Sequence, residues 1–131
     1  MPPNLTRSKR GSAARRRGRW AEGWCLWALR LKGYAILAHG HVTGRGTGAS
    51  EIDIVARRGS VLAFVEVKAR PDLALAGAAL SAGQRRRLAR AAAGFLARHP
   101  ELAGLNPRFD AMLVVPWHWP CHLIDAWRDE G

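Results

Sequence analysis

A chain of 131 residues is long enough to bury the core of one domain, and a 48% hydrophobic composition excludes an intrinsically disordered protein. The net charge of +11 points to polyanionic partners, with nucleic acid the commonest of them. No apolar run approaches the ~18 residues of a bilayer span, and the basic N-terminus has no apolar stretch of the secretory kind, so no membrane partner is expected.

The charge is unevenly placed. Residues 1–19 hold Arg7, Lys9, Arg10, Arg15, Arg16, Arg17 and Arg19 with no acid, which leaves the rest of the chain with a net charge of only +4. Residues 1–17 are expected to form a disordered basic tail, and residues 18–131 a single domain. A helix is predicted from about Arg19 to Lys32, with Gly33 as its stop signal. Trp20, Trp24, Trp27 and Leu31 follow helical spacing, as do Ala21, Cys25, Ala28 and Leu29. Together these positions cover a broad arc, which predicts a tightly packed helix; its tryptophans are expected in the core, the alternative being that they stack on bases.

Tyr34 to His39 reads as a strand, followed by a Gly-rich loop over residues 43–50 in which Arg45 is a candidate phosphate contact. Two apolar strands come next, Glu51 to Ala56 and Val61 to Ala69, joined at Arg58-Gly59-Ser60 by a tight hairpin. After a loop over residues 71–80, Ser81 is placed to cap a helix running to about Arg98, ahead of Pro100. Arg108 to Val115 and Pro120 to Trp127 complete the set as strands. The expected class is α/β: helix, three antiparallel strands, helix, two strands, in a mixed sheet whose long helix permits a right-handed parallel crossover. Cys25 and Cys121 are too few for a disulfide framework, so a reducing, cytoplasmic setting is expected.

The two central strands carry charge where apolar residues would make better strands. Asp53 lies in the first, and Glu66 and Lys68 in the second. Burying a carboxylate costs several kcal/mol unless it is paired or binds a metal. In an antiparallel hairpin, paired residue numbers sum to a constant. A two-residue loop at Arg58-Gly59 gives 117 and sets Asp53 diagonal to Glu66; a four-residue loop gives 119 and sets them face to face. Either odd sum puts both carboxylates and Lys68 on one face, whereas an even sum or a bulge would separate them, so the shared face is a condition the site must meet. Paired carboxylate oxygens suit Mg²⁺ or Mn²⁺, which keep several waters and accept phosphate oxygens. Lys68 then supplies a point charge to an attacking water or to the transition state. The bland alternative is an exposed Glu66–Lys68 salt bridge, worth at most about 1 kcal/mol.

Gly18-Arg-Trp-Ala-Glu22, Lys32-Gly-Tyr-Ala-Ile-Leu37, Glu51-Ile-Asp-Ile-Val-Ala56 and Phe64-Val-Glu-Val-Lys-Ala-Arg70 resemble the YraN-type family of uncharacterised proteins. Gln84-Arg-Arg-Arg-Leu88, Phe95-Leu-Ala-Arg-His-Pro100 and Arg108-Phe-Asp110 extend the resemblance over about residues 18–127. That family is similar to archaeal Holliday-junction resolvases and restriction endonucleases. The resemblance implies a restriction-endonuclease-like core, Asp53 and Glu66 as metal ligands, Lys68 as catalytic, Glu22 near the metal and Gln84 bordering the site. Ser50 stands where the family usually has glycine, and the cluster of Trp24, Trp27, Trp117 and Trp119 is not expected of it.

Independently of the resemblance, Glu22 borders an apolar helix face and also fits a first-turn glutamate favoured by the helix dipole. Gln84 opens a stripe with Leu88, Ala91 and Phe95, so it faces inward either as a boundary residue or as part of a site. Arg85, Arg86 and Arg87 fit a solvated helix start, or a phosphate clamp beside a nuclease cleft. His118, Cys121 and His122 are too close together for a zinc site without a second ligand pair, and Asp110 reads as a structural polar residue. The expectation is a Mg²⁺- or Mn²⁺-dependent endonuclease acting on nucleic acid, DNA rather than RNA, in branched, flapped or single-stranded form. The rivals are a non-catalytic nucleic-acid-binding protein of the same fold and a basic structural protein of a ribonucleoprotein particle. A compact nuclease often cuts two strands as a homodimer, although no dimer surface is readable.

Overall fold

The computed structural model describes residues 20–40, 52–70 and 82–127. Helix α1 (residues 20–31) leads into strand β1 (Ala35–His39), followed by β2 (Ile54–Arg58) and β3 (Val61–Ala69). Helix α2 (Ala82–Arg98), a 3-10 turn (Pro100–Leu102) and strands β4 (Asn106–Val114) and β5 (Cys121–Trp127) complete the order. The five strands form one sheet in chain order. Only β3 and β4 run parallel, and α2 lies between them in the chain, long enough to carry a crossover. The architecture is the α/β mixed sheet expected from the sequence. No helix among the described residues is long and apolar enough to cross a membrane.

Each face of the sheet has its own core. On one side Ala21, Cys25, Ala28 and Leu29 of α1 pack on Ile54, Ala56, Ala63, Val65, Met112 and Val114. On the other, Ala91, Ala92 and Phe95 of α2 pack on Val55, Leu62 and Phe64. This explains why β3 is apolar without alternation from Leu62 to Val65, since a strand covered on both faces needs apolar groups at every position. Phe95 meets Phe64 edge to face, with centroids 5.9 Å apart.

Several boundaries differ from expectation. β2 starts at Ile54, so Asp53 precedes the strand, and β4 starts at Asn106 rather than Arg108. The hairpin loop is Gly59-Ser60, one residue later than the two-residue loop expected, and its pairs, from Arg58↔Val61 to Ile54↔Val65, sum to 119. Gly59 has a φ of 59°, and only a residue without Cβ takes that first loop position cheaply, which is what moves the turn.

The tryptophans also differ from expectation. Trp127 is buried and stacked on Phe109, but Trp20, Trp24, Trp27, Trp117 and Trp119 are exposed. The inward face of α1 is mostly small side chains, Ala21, Cys25 and Ala28 beside Leu29, which let the helix sit close to the sheet. Trp20, Trp24, Trp27 and Leu31 occupy the adjoining arc and are left in solvent.

Candidate active site

One step beyond the Ile54–Val65 pair, Asp53 stands opposite Glu66. Its Oδ2 accepts the Val67 N–H at 2.8 Å, and its carbonyl accepts the Gly40 N–H at 3.0 Å. Asp53 therefore closes the ladder with its side chain just where β2 begins, and the sheet itself fixes where the carboxylate points. Glu66 and Lys68 follow Leu62 and Phe64 on the α2 side of β3. Lys68 is only 8% exposed.

The electrostatics follow from this crowding. Burial first, then the Asp53 charge and a hydrogen bond shared with Asp53, push Glu66 up to about 8, and Lys68 and Arg70 only partly oppose them. Burial and the neighbouring Arg70 lower Lys68, against the pull of Glu66. Two carboxyl groups this close disfavour two charges, which is why Glu66 is raised. A hard divalent ion bound there would relieve that repulsion through oxygen coordination. No group of three or more His, Cys, Asp or Glu side chains that could hold a metal occurs among the described residues. Two carboxylates fit Mg²⁺ or Mn²⁺, which rely on water and substrate phosphate for their remaining ligands.

Glu22, in the first described turn of α1, bonds to His39 Nδ1 at 3.0 Å. Burial pushes the Cys25 thiol, one turn along α1 from Glu22, up to about 12, and the charges of Asp53 and Glu22 push in the same direction. His39, at the end of β1 beside Asp53, is a neighbour that no spacing in the sequence signals. Gln84 is the third residue of α2 and is half-buried, ahead of the buried Leu88, Ala91 and Phe95. Arg85, Arg86 and Arg87 are exposed along the same turn. Arg45 lies outside the described residues.

Asp110 belongs to a different cluster. Its register opposite Val65 and its packing side, shared with Met112, put it on the α1 face, away from Glu66. The fully buried carboxylate accepts Arg108 Nε and Nη2 at 2.8 and 2.7 Å, His122 Nε2 at 2.7 Å and the Asp125 N–H at 3.0 Å. Lys32 Nζ donates to His122 Nδ1 at 3.0 Å. Arg108 also donates to the Tyr34 hydroxyl at 2.6 Å. His122 is thus held between Lys32 and Asp110. The Asp125 contact fills the break in the β4–β5 ladder between Phe109 and Ala111.

The model of the uncharacterised protein family UPF0102 matches residues 21–114. A UPF0102 protein of Paramagnetospirillum magneticum is 57% identical over 121 residues, covering 92% of this chain and 94% of its own length. Another, from Methylorubrum extorquens, is 46% identical over 131 residues, with 100% and 99% of the two chains covered. Among solved structures, Hjc of Archaeoglobus fulgidus, a Holliday junction resolvase, matches with a TM-score of 0.53 and 21% identity over 79% of this chain and 72% of that one. At that identity the likeness establishes a shared, nuclease-like fold.

Proposed function

This chain belongs to the uncharacterised protein family UPF0102, and from that premise we propose that it is a Mg²⁺- or Mn²⁺-dependent endonuclease hydrolysing phosphodiester bonds in branched or single-stranded DNA. The observation that carries this reading is the meeting of Asp53 and Glu66 at the end of a hairpin, with the buried Lys68 two residues further along the same face. Nothing about folding calls for three charges there, and a buried acidic pair without a cation is a cost. The fold shared with a Holliday junction resolvase supports a DNA substrate.

Asp53 and Glu66 would hold the ion, and their oxygens suit it. When bound, such an ion lowers the pKa of a coordinated water and offsets charge growing on the attacked phosphate. Lys68 holds its ammonium beside Glu66, where it orients the attacking water or stabilises the pentavalent oxyanion. Glu22 fixes His39 at the rim. Gln84 borders the cleft from the first turn of α2, and Arg85, Arg86 and Arg87 offer contacts to flanking phosphates.

The test is a panel of labelled duplex, junction, flap and single-stranded substrates incubated with Mg²⁺, Mn²⁺ or EDTA. Cleavage of junctions, flaps or single strands with either metal and none in EDTA is expected. Binding without cleavage of any substrate under both metals would leave the chain a nucleic-acid-binding protein.

A further inference from the structure

We propose that a tryptophan-walled groove along α1 is a stacking site for unpaired nucleobases of the strand presented to the carboxylates, an inference that rests on the nucleic-acid reading above. The groove, about 530 Å³, is lined by Trp20, Gly23, Trp24, Trp27, Leu31 and Trp119. The four indoles are between 42% and 61% exposed. Trp24 meets Trp20 and Trp119 edge to face, at 6.4 and 5.9 Å between centroids and interplanar angles of 77° and 79°. Standing at right angles, the rings act as walls and do not close on one another as a stack. Gly23 borders open space in the groove, since a Cβ there would meet nothing within 4 Å.

Position connects the groove with the carboxylates. Ala69 pairs with Val114, and the Arg70 N–H bonds to the Val114 carbonyl at 2.9 Å. The turn carrying Trp117 and Trp119 therefore leaves the sheet at the end where Glu66 and Lys68 lie. At that same end, Trp20 and Glu22 share one turn of α1, roughly 3 Å apart along its axis. The groove and the carboxylates therefore lie toward the same end of the sheet, the groove on the α1 side and Glu66 and Lys68 on the α2 side.

Charge selects the occupant. An apolar patch of this kind marks an interaction surface. In sequence, seven Lys and Arg side chains with no acid precede Trp20, and in the structure Arg30 on the helix and Lys32 just past its end are exposed. Exposed aromatic faces on so basic a chain match bases joined by phosphates, whereas an apolar protein face would gain nothing from the charge. Bases already stacked within a duplex are unavailable to the indoles, so the groove discriminates for single strands.

The experiment is a fluorescence titration of the full chain in EDTA, with an oligo(dT) strand and with a duplex of equal length. Wild type is compared with Trp24→Ala, Trp27→Ala and the conservative Trp24→Phe. Indole emission should be quenched by oligo(dT). Each alanine should weaken single-strand affinity about tenfold, leave duplex affinity within about twofold, and be largely rescued by phenylalanine. Single-strand affinity unchanged in the alanine variants, or an equal loss for duplex, overturns the assignment. So does a shift from dimer to monomer in sedimentation with single-strand affinity intact, which would identify the groove as an interface between copies. Cleavage with Mg²⁺ is scored separately: a wild type that binds through the groove but never cuts loses the nuclease reading alone, and one that cuts while its alanine variants bind normally loses the groove alone.

Discussion

At the residue scale, Asp53 and Lys68 make different predictions although they are close together. Lys68→Ala should reduce cleavage by about 10²–10³ while metal-free binding stays within about twofold, because one charge aimed at the reacting phosphate acts mainly in the transition state. Asp53→Asn keeps an oxygen to accept the Val67 N–H, so it should fold, lose cleavage through weakened metal binding, and recover part of it at high Mn²⁺. Rates measured against metal concentration separate the two; rescue of Lys68→Ala by Mn²⁺ would contradict its role. Asp110 is a matter of stability. Its burial would raise the carboxyl, but bonds from His122, Arg108 and the Asp125 N–H outweigh that and hold it at about 2. A carboxyl depressed in the folded state contributes stability that is fully present above its unfolded value of 3.8 and is lost as pH falls through 2. That loss should amount to about 2 kcal/mol in urea unfolding between pH 5 and pH 2, and be absent in Asp110→Asn. The substitution itself, which strips a buried partner from Arg108, should cost about 3–5 kcal/mol at pH 7.

At the element scale, the hairpin is what makes the candidate site. That an odd register would put Asp53, Glu66 and Lys68 on one face was legible in the sequence; that the register is odd came from the structure. The choice of 119 over 117 was not legible either, since it depends on Gly59 taking the left-handed first position and shifting the loop to Gly59-Ser60. Gly59→Val should cost about 1–2 kcal/mol in urea unfolding. An unchanged midpoint would show that the turn adapts. α2 holds the other side of β3 through Phe95 on Phe64, and Phe95→Ala should cost about 3–5 kcal/mol. The stripe from Gln84 to Phe95 was readable from its 3.6-residue period. What Gln84 itself contacts was not, because a period specifies a face and leaves its neighbours undetermined.

For the whole molecule, charge is the property that acts at long range. Deleting residues 1–17 removes six basic side chains and takes the net charge from +11 to +5. Binding should weaken without change in sequence preference, and log K against log salt should become shallower by up to about 5 units if all six contact phosphate. An unchanged slope would assign the segment another role. The groove on α1 should contribute the part of single-strand affinity that salt leaves intact, so its loss and the tail's loss are separable in one salt titration.

By itself, the sequence determined the α/β order of elements, the placing of Asp53, Glu66 and Lys68 in the two hairpin strands' runs, and the alternation that puts Glu66 and Lys68 on one face of β3. All of these follow from local periodicity and from the chemistry of charge placed in apolar strands. The tertiary structure alone decided which half of the broad apolar arc of α1 met the sheet. Small side chains allow the closest approach, so Ala21, Cys25, Ala28 and Leu29 turned inward and the tryptophans were left in solvent. It also brought Glu22 to His39 and gathered Arg108 and His122 around the buried Asp110, with the exposed Lys32 on His122, because contacts between residues as far apart as Lys32 and His122 leave no mark in local spacing.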